Sequence, residues 1–315
     1  MNLPISHYRV QFRNESNRSA PAFAGNAWRG ALGHALRRTA CLTGADECTG
    51  CPMRYRCDYA YLFDTPIPPD ANKLRLYKEA PHPYVLHEIT ADDGTIHLHL
   101  ILIGHATQHA SLMINTLIRS ASNPPGIAGR RLDYLAHEQW NEAAGQWQAG
   151  GNTSGFLTPA PFSPTCPAKP DGDILIDLQT PLRIRRDGRH VGVALFHFAD
   201  LFGHALRRIS LLMAFHTPDE LIVDYKALNQ AARAVALMDK NLQWLDLTRH
   251  SSRQHTAMNL GGLVGQIRLA GAELALFWPY LWIGQHTHVG RSTTMGLGRY
   301  RIRSMDDTAS FPALP

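Results

Sequence analysis

An α+β fold built as two tandem units is predicted by three features of the 315-residue sequence. The hexamer Gly33-His34-Ala35-Leu36-Arg37-Arg38 returns, letter for letter, as Gly203-His204-Ala205-Leu206-Arg207-Arg208. Such a repeat, in flanks of matching pattern, marks two copies of one supersecondary unit. Around each copy the hydrophobic periods follow the order strand, helix, strand, strand, helix, strand, which is that of a ferredoxin-like sandwich. Between the two sets, residues from about 144 to 173 are rich in Gly, Pro, Ser and Thr and carry no period, as a linker would. The predicted domains are therefore 1–143 and 174–315, joined by 144–173.

The first domain opens on an alternating strand, 8–13, and a loop with Asn, Ser and Pro. The first helix follows at about 26–41: Trp28, Leu32, Ala35, Leu36 and Thr39 fall in one narrow arc of its wheel, with His34, Arg37 and Arg38 turned away. A cysteine-rich stretch runs to Phe63, and Pro66, Pro68 and Pro69 mark a loop. Strands at 84–89 and 95–103 flank the hairpin-type turn Ala91-Asp92-Asp93-Gly94. A helix at 108–120, a glycine-bearing loop and a strand at 131–135 complete the set. In the second domain a strand at 174–186 precedes the twin helix, 195–215, where Phe198, Phe202, Ala205, Leu206 and Ile209 form the apolar arc. Further helix is predicted over 225–239, strands over 242–248 and 261–269, helix over 270–283 broken late by Pro279, and a last strand over 299–303. Each domain reads as an RNA-recognition-type sandwich, and each twin helix as showing a His-Arg-Arg face.

Composition sets the class of partner. Hydrophobic residues make up 44% and charged residues 18%, no apolar run approaches the ~20 residues of a membrane span, and the N-terminus lacks the basic and apolar stretches of a signal peptide. A cytoplasmic protein without a membrane partner is expected. The net charge of +5, carried far more by arginine than by lysine, favours an anionic partner, since the guanidinium fork suits phosphate.

Two stretches carry specific chemistry. The loop from His288 to Arg299 holds Gly290, Gly296 and Gly298 among Arg291, Ser292, Thr293 and Thr294. Successive backbone N–H groups in such a loop cradle phosphate oxygens, with hydroxyl and guanidinium donors beside them. It lacks the Gly-Lys-Ser/Thr ending of a nucleotide-triphosphate loop, and its place between a helix and a last strand excludes a dinucleotide fingerprint. The alternative is a tight connection that needs glycine for geometry alone. Cys41, Cys48, Cys51 and Cys57 are separated by six, two and five residues, a spacing suited to a tetrahedral metal or a cubane cluster rather than to a secreted disulfide framework. The spacing resembles the [4Fe–4S] loop of endonuclease III-type DNA glycosylases, so an iron–sulfur cluster or structural zinc is expected, bracing the helix of His34. Arg54 and Arg56 lie in the same loop, and Cys166 stands alone in the linker.

A set of phrases resembles one family. They are Trp28-Arg29-Gly30-Ala31-Leu32-Gly33-His34, Trp244-Leu245-Asp246-Leu247-Thr248-Arg249, Ser252-Arg253-Gln254, residues 258–265 and the glycine loop. Together they resemble the CRISPR-associated RAMP endoribonucleases that process precursor CRISPR RNA. The resemblance spans most of the chain and is strongest over 244–303. It implies two ferredoxin-like folds, a prokaryotic setting in antiviral defence, and CRISPR repeat RNA or crRNA as partner, with other subunits of an effector complex. It also implies cleavage without a catalytic metal, leaving a 2′,3′-cyclic phosphate and a 5′-hydroxyl. The cysteine cluster is not part of the family pattern.

That chemistry needs a base for the attacking 2′-hydroxyl, an acid for the leaving 5′-oxygen, and a cation at the phosphoryl group. The resemblance places the histidine on the first helix, where His34 stands, with Arg37 or Arg38 on the phosphate and Tyr8 as a further candidate. Arg29 and the loop residues His288, Gly290, Arg291, Ser292, Thr293, Thr294, Gly296, Gly298 and Arg299 are expected on RNA. His204, His286 and His288 rival His34 for the proton role. A non-cleaving crRNA-binding subunit is the alternative function.

Overall fold

The computed structural model describes residues 1–14, 21, 23–74, 77, 79–150, 160–250, 257–305, 311 and 314–315. Two compact units are formed: one of residues 1–163 with 211–220 and 315, the other of 164–210 with 221–314. The phrase 252–254 and part of the predicted linker, 151–159, lie outside the described residues.

In the first unit the strands are β1 (Ile5–Asn14), β2 (Tyr84–Thr90), β3 (Ile96–Ile103), β4 (Leu132–Asn141) and β5 (Gln146–Ala149); the helices are α1 (Gly25–Ala40) and α2 (Ala110–Ser122). The sheet is antiparallel, with order β2-β3-β1-β4-β5. The expected order of six elements is present, and β5 adds an edge strand inside what the sequence reads as linker. Alternation along β1 sends Tyr8, Val10 and Phe12 into a core with Trp28, Leu32 and Leu36 of α1 and Met113, Ile114 and Leu117 of α2. The opposite face is packed rather than bare. His7 Nε2 meets His99 Nδ1 at 3.1 Å, His87 stacks on His99 at 4.5 Å, and Trp147 of β5 stands edge-on to both His7 and His99. Several of the seventeen histidines are thus structural.

The entry of α1 is fixed by a buried ion pair. Arg130, fully buried, gives both guanidinium nitrogens to Glu88 on β2 at 3.1 and 2.9 Å, and Trp28 Nε1 donates to the same carboxylate at 2.6 Å. A two-pronged, charge-assisted pair of this kind sets orientation as well as energy.

The second unit contains β6 (Ile174–Leu182), β7 (Arg185–Arg186), β8 (Arg189–His190), α3 (Phe198–His216, less its last turns), α4 (Tyr225–Ala234), β9 (Asp239–Leu245), β10 (Thr248–His250), β11 (Ala257–Asn259), β12 (Gly262–Leu269), α5 (Trp278–Thr287) and β13 (Tyr300–Ser304). Its main sheet has order β13-β6-β12-β9, so the first strand again lies between the third and fourth of its set. Two-stranded ribbons β7–β8 and β10–β11 stand apart from it. The strand expected over 174–186 is divided, β6 ending at Leu182. Pro279 begins α5 instead of breaking a helix: the chain from Gly271 to Leu274 is a short 3-10 turn, and proline in the first turn lacks only an N–H that would go unbonded there. Among the described residues no helix is long and apolar enough to cross a membrane.

Candidate functional site

The arc predicted for α1 is buried at Trp28, Leu32, Ala35 and Leu36, while Thr39 is exposed. This leaves His34 and Arg38 exposed, one turn apart on one face. His34, Arg37, Arg38, Cys41 and Gly44 line an open depression of about 370 Å³. Arg37 is half-buried and committed: its guanidinium donates to the Ala45 carbonyl and lies 5.9 Å over the Tyr59 ring. Arg38 is thereby the better placed of the two to meet a phosphate. Tyr8 is away from this surface. It is fully buried beneath α1, and burial pushes its hydroxyl up to about 12, so it belongs to the core and not to the candidate site.

Arg29 does not sit on an open face either. Its guanidinium is 4.4 Å over the Phe63 ring and 3.4 Å from His82 Nε2. His82 Nδ1 in turn meets Thr65 Oγ1 at 2.6 Å. This half-buried group, which the sequence did not suggest, fastens α1 to the chain after the cysteines. Gly33 lets it close: a Cβ there would stand 2.3 Å from the Phe63 ring.

The twin helix departs from the expected His-Arg-Arg face. Only Arg207 is exposed. Arg208 is buried, donates to the Thr287 carbonyl at 2.8 Å, and has its pKa pushed down to about 10 by desolvation. His204 bonds the Asp200 carbonyl at 2.8 Å, and burial lowers its pKa. The other rivals are deeper: His286 is 3% exposed with its pKa pushed down to about 3, and His288, 1% exposed, is held well below its ordinary value, both mainly by burial. Of the four histidines weighed, His34 alone is exposed.

The glycine loop is more inward than its letters suggest. Thr293, Thr294, Gly296 and Gly298 are buried, Ser292 and Arg299 are half-buried, and Arg291 is exposed. Its donors are largely spent inside the fold. Val289 N–H bonds the Gly298 carbonyl, Arg291 N–H that of Arg183, Met295 N–H that of Ser292, and Gly298 N–H that of Pro181. At Gly298, φ is +71° and a Cβ would stand 1.7 Å from the Val289 carbonyl oxygen; at Gly290, φ is +92°. These glycines are required by the turn itself. What the loop offers outward is Arg291, in a basic patch that sequence reading missed. Arg183 and Arg185, with Arg291, lower the pKa of His190 beyond the effect of its burial, and the His190 ring lies edge-on to exposed Trp244 at 6.1 Å. The alternation Arg183-Ile184-Arg185, which puts like charges on one side, was the available signal.

Cys41, Cys48, Cys51 and Cys57 border one small cavity between α1 and β2 in the chain, and none is disulfide-bonded. The Gly44 amide beside Cys41 lowers its thiol pKa, whereas burial raises that of Cys48. Among the described residues no three His, Cys, Asp or Glu side chains are set closely enough to hold a metal ion as they stand.

The backbone is similar along nearly its whole length to solved structures. One is a Cas6 (TTHB231) product complex, with TM-score 0.57 and 13% identity over 95% of this chain and 99% of the other. A second, a Cas6 (TTHA0078) product complex, gives TM-score 0.51 and 14% identity over 96% and 100%. A third, a partial Cas6-RT-Cas1–Cas2 complex, gives TM-score 0.60 and 13% identity over 98% of this chain and 48% of that one. Identities this low establish likeness of fold alone. No match was found among curated proteins. In the sequence itself, residues 176–300 match the family model of the CRISPR-associated endoribonuclease Cas6, and residues 3–151 match AF_1859_N, described as an N-terminal domain. The C-terminal part of the chain, residues 176–300, thus carries the sequence pattern of Cas6. The Cas6 match takes in the twin helix, the basic patch and the glycine loop; the exposed face of α1 and the cysteines fall in the N-terminal match. The Cas6 match agrees with the resemblance carried by the phrase around Trp244, which lies within it.

Proposed function

We propose that the chain is the endoribonuclease that cuts CRISPR repeat RNA, and that His34 with Arg38 carries the reaction. The observation that supports this most directly is the pairing of an exposed histidine and an exposed arginine one turn apart on α1, in a depression open to solvent. In this reading the 2′-hydroxyl before the cut attacks the adjacent phosphorus. The O2′–P bond forms and the P–O5′ bond breaks; one proton leaves the 2′-oxygen and one is delivered to the 5′-oxygen. The products are a 2′,3′-cyclic phosphate and a 5′-hydroxyl. His34 serves in proton transfer, a role suited to imidazole near neutral pH. Arg38 holds the phosphoryl oxygens as their charge grows, and Arg37 keeps the segment beyond α1 in place through Ala45 and Tyr59. Because the nucleophile belongs to the substrate and the cation is a side chain, the step needs no catalytic metal. The patch of Arg183, Arg185, Arg291 and Trp244 binds the RNA by phosphate contact and stacking and retains the crRNA after cleavage.

The test uses repeat RNA and the same RNA with a single 2′-deoxy nucleotide before the cut. The deoxy RNA should bind as the parent does and remain intact. His34→Ala should slow cleavage about 100-fold or more with affinity near normal, and His204→Ala should be silent. Cleavage of the deoxy RNA would overturn the mechanism, and an unimpaired His34→Ala would overturn the site. Tight binding by the wild-type protein without any cleavage would make the chain a non-cleaving crRNA-binding subunit.

A further inference from the structure

We propose that Cys41, Cys48, Cys51 and Cys57 form a four-thiolate metal centre that holds the segment after α1 against that helix. The proposal stands independently of the nuclease reading. From Cys41 to Cys57 there is neither helix nor strand, and residues 42–47 are all exposed, Leu42 among them at 73%. A stretch that buries so little needs another source of stability. The four thiols are what it has in common: all of them border one cavity, although they arrive from different parts of the loop. Cys48 and Cys51 come from a tight turn, in which Cys51 N–H bonds the Cys48 carbonyl at 3.1 Å and Gly50 takes a φ of +80°. Cys41 follows the last turn of α1, its N–H bonded to the Arg37 carbonyl at 3.0 Å. Cys57 is buried with its sulfur 3.6 Å from the Ala40 carbonyl oxygen. Thr43 Oγ1 lies 4.0 Å from the Cys41 sulfur and 3.4 Å from that of Cys51, linking the end of the helix to the turn.

The chemistry of the donor set is specific. Four thiols around one space suit zinc or a [4Fe–4S] cluster, both bound as thiolates with release of the thiol protons. The structure supplies the common cavity; the metal supplies the final approach of the ligands. Zinc loops commonly offer two Cys-x2-Cys turns and this segment has one, with six and five residues intervening before the outer cysteines, which favours the larger cluster. The centre also has a neighbour of interest. Cys41 borders both this cavity and the depression of His34 and Arg38, so metal binding would fix the wall of that depression.

The full-length protein, purified without oxygen from cells supplied with iron and zinc, should contain about four irons with acid-labile sulfide, or about one zinc, per chain. A brown protein with broad visible absorbance identifies the cluster, and a colourless one with zinc identifies the ion. Cys51→Ser should lose most of the metal and Cys166→Ser should keep it. Because Cys51→Ser can fail to fold, a second arm uses wild-type protein stripped of metal and titrated with Co2+. Intense thiolate-to-cobalt charge-transfer bands saturating near one equivalent would support the site. Folded protein that carries neither metal and shows no such bands would overturn it, as would equal metal loss in Cys51→Ser and Cys166→Ser.

Discussion

Truncating Arg130 to alanine removes both nitrogens of the fork on Glu88 and leaves that carboxylate, 6% exposed, with Trp28 Nε1 at 2.6 Å as its remaining described donor. The carboxylate cannot turn to water, so the loss is that of a buried pair broken on one side, about 3–5 kcal/mol. A surface pair of the same geometry would be worth about 1 kcal/mol or less. The effect should be local to the first unit, because Trp28 opens α1 and Glu88 lies on β2. Urea titration read by hydrogen–deuterium exchange of α1 and β2 peptides resolves that unit from the other. Arg130→Met alone should cost nearly as much as alanine. The pair Glu88→Leu with Arg130→Met should recover most of it, since replacing both partners by apolar groups removes the stranded charge. A loss below about 1 kcal/mol in Arg130→Ala, or a double variant worse than either single, would refute the reasoning.

Acid should loosen the second unit well above the carboxylate range. His286 is neutral in the fold, its pKa pushed down to about 3, while the unfolded chain binds a proton near the ordinary value of about 6.5. Its contribution is therefore complete above the unfolded pKa and is lost as pH falls from there toward 3, by up to about 1.4 kcal/mol per pH unit; His286→Leu should flatten that slope in denaturation at several pH values. Gly298→Val should fail as a fold variant, with left-handed strain of about 1–3 kcal/mol compounded by the Val289 carbonyl, so circular dichroism should change before RNA affinity is even measurable. Arg291→Ala and Arg185→Ala should each weaken repeat-RNA binding and lower the slope of log affinity against log salt by up to about one unit for each phosphate left without its arginine; an unchanged slope in both would leave the patch without a role in binding.

The strongly periodic elements were legible. Strand β3 alternates through a run of isoleucine, leucine and histidine, and β1, α1 and α3 were placed within a few residues, because their apolar periods are long and unbroken. The order of elements then followed. What stayed hidden depends on distant partners. Nothing in Glu88 or Arg130 announces a pair across 42 residues of sequence. A helical wheel places Arg208 outside the apolar arc, yet it has no knowledge of the Thr287 carbonyl that receives it. The glycine loop carries the letters of a phosphate cradle, but whether its N–H groups face outward is decided by Pro181 and Arg183 of the neighbouring strand region. At the candidate site the sequence proposed four rival histidines; burial is what separates His34 from the others.

The two identical hexamers are not interchangeable parts. Gly203 has the amide oxygen of Asn229 as its near neighbour, the tip of a side chain that can swing aside. Gly33 has a whole aromatic ring there, pinned between Arg29 at 4.4 Å and Tyr59 at 5.7 Å. Alanine at 203 would gain up to about 1 kcal/mol of helix propensity, whereas alanine at 33 must displace Phe63 and, with it, the attachment of the cysteine segment. The glycine of the second copy is therefore free to change while that of the first is held by Phe63, and the same letter is kept under two unequal constraints.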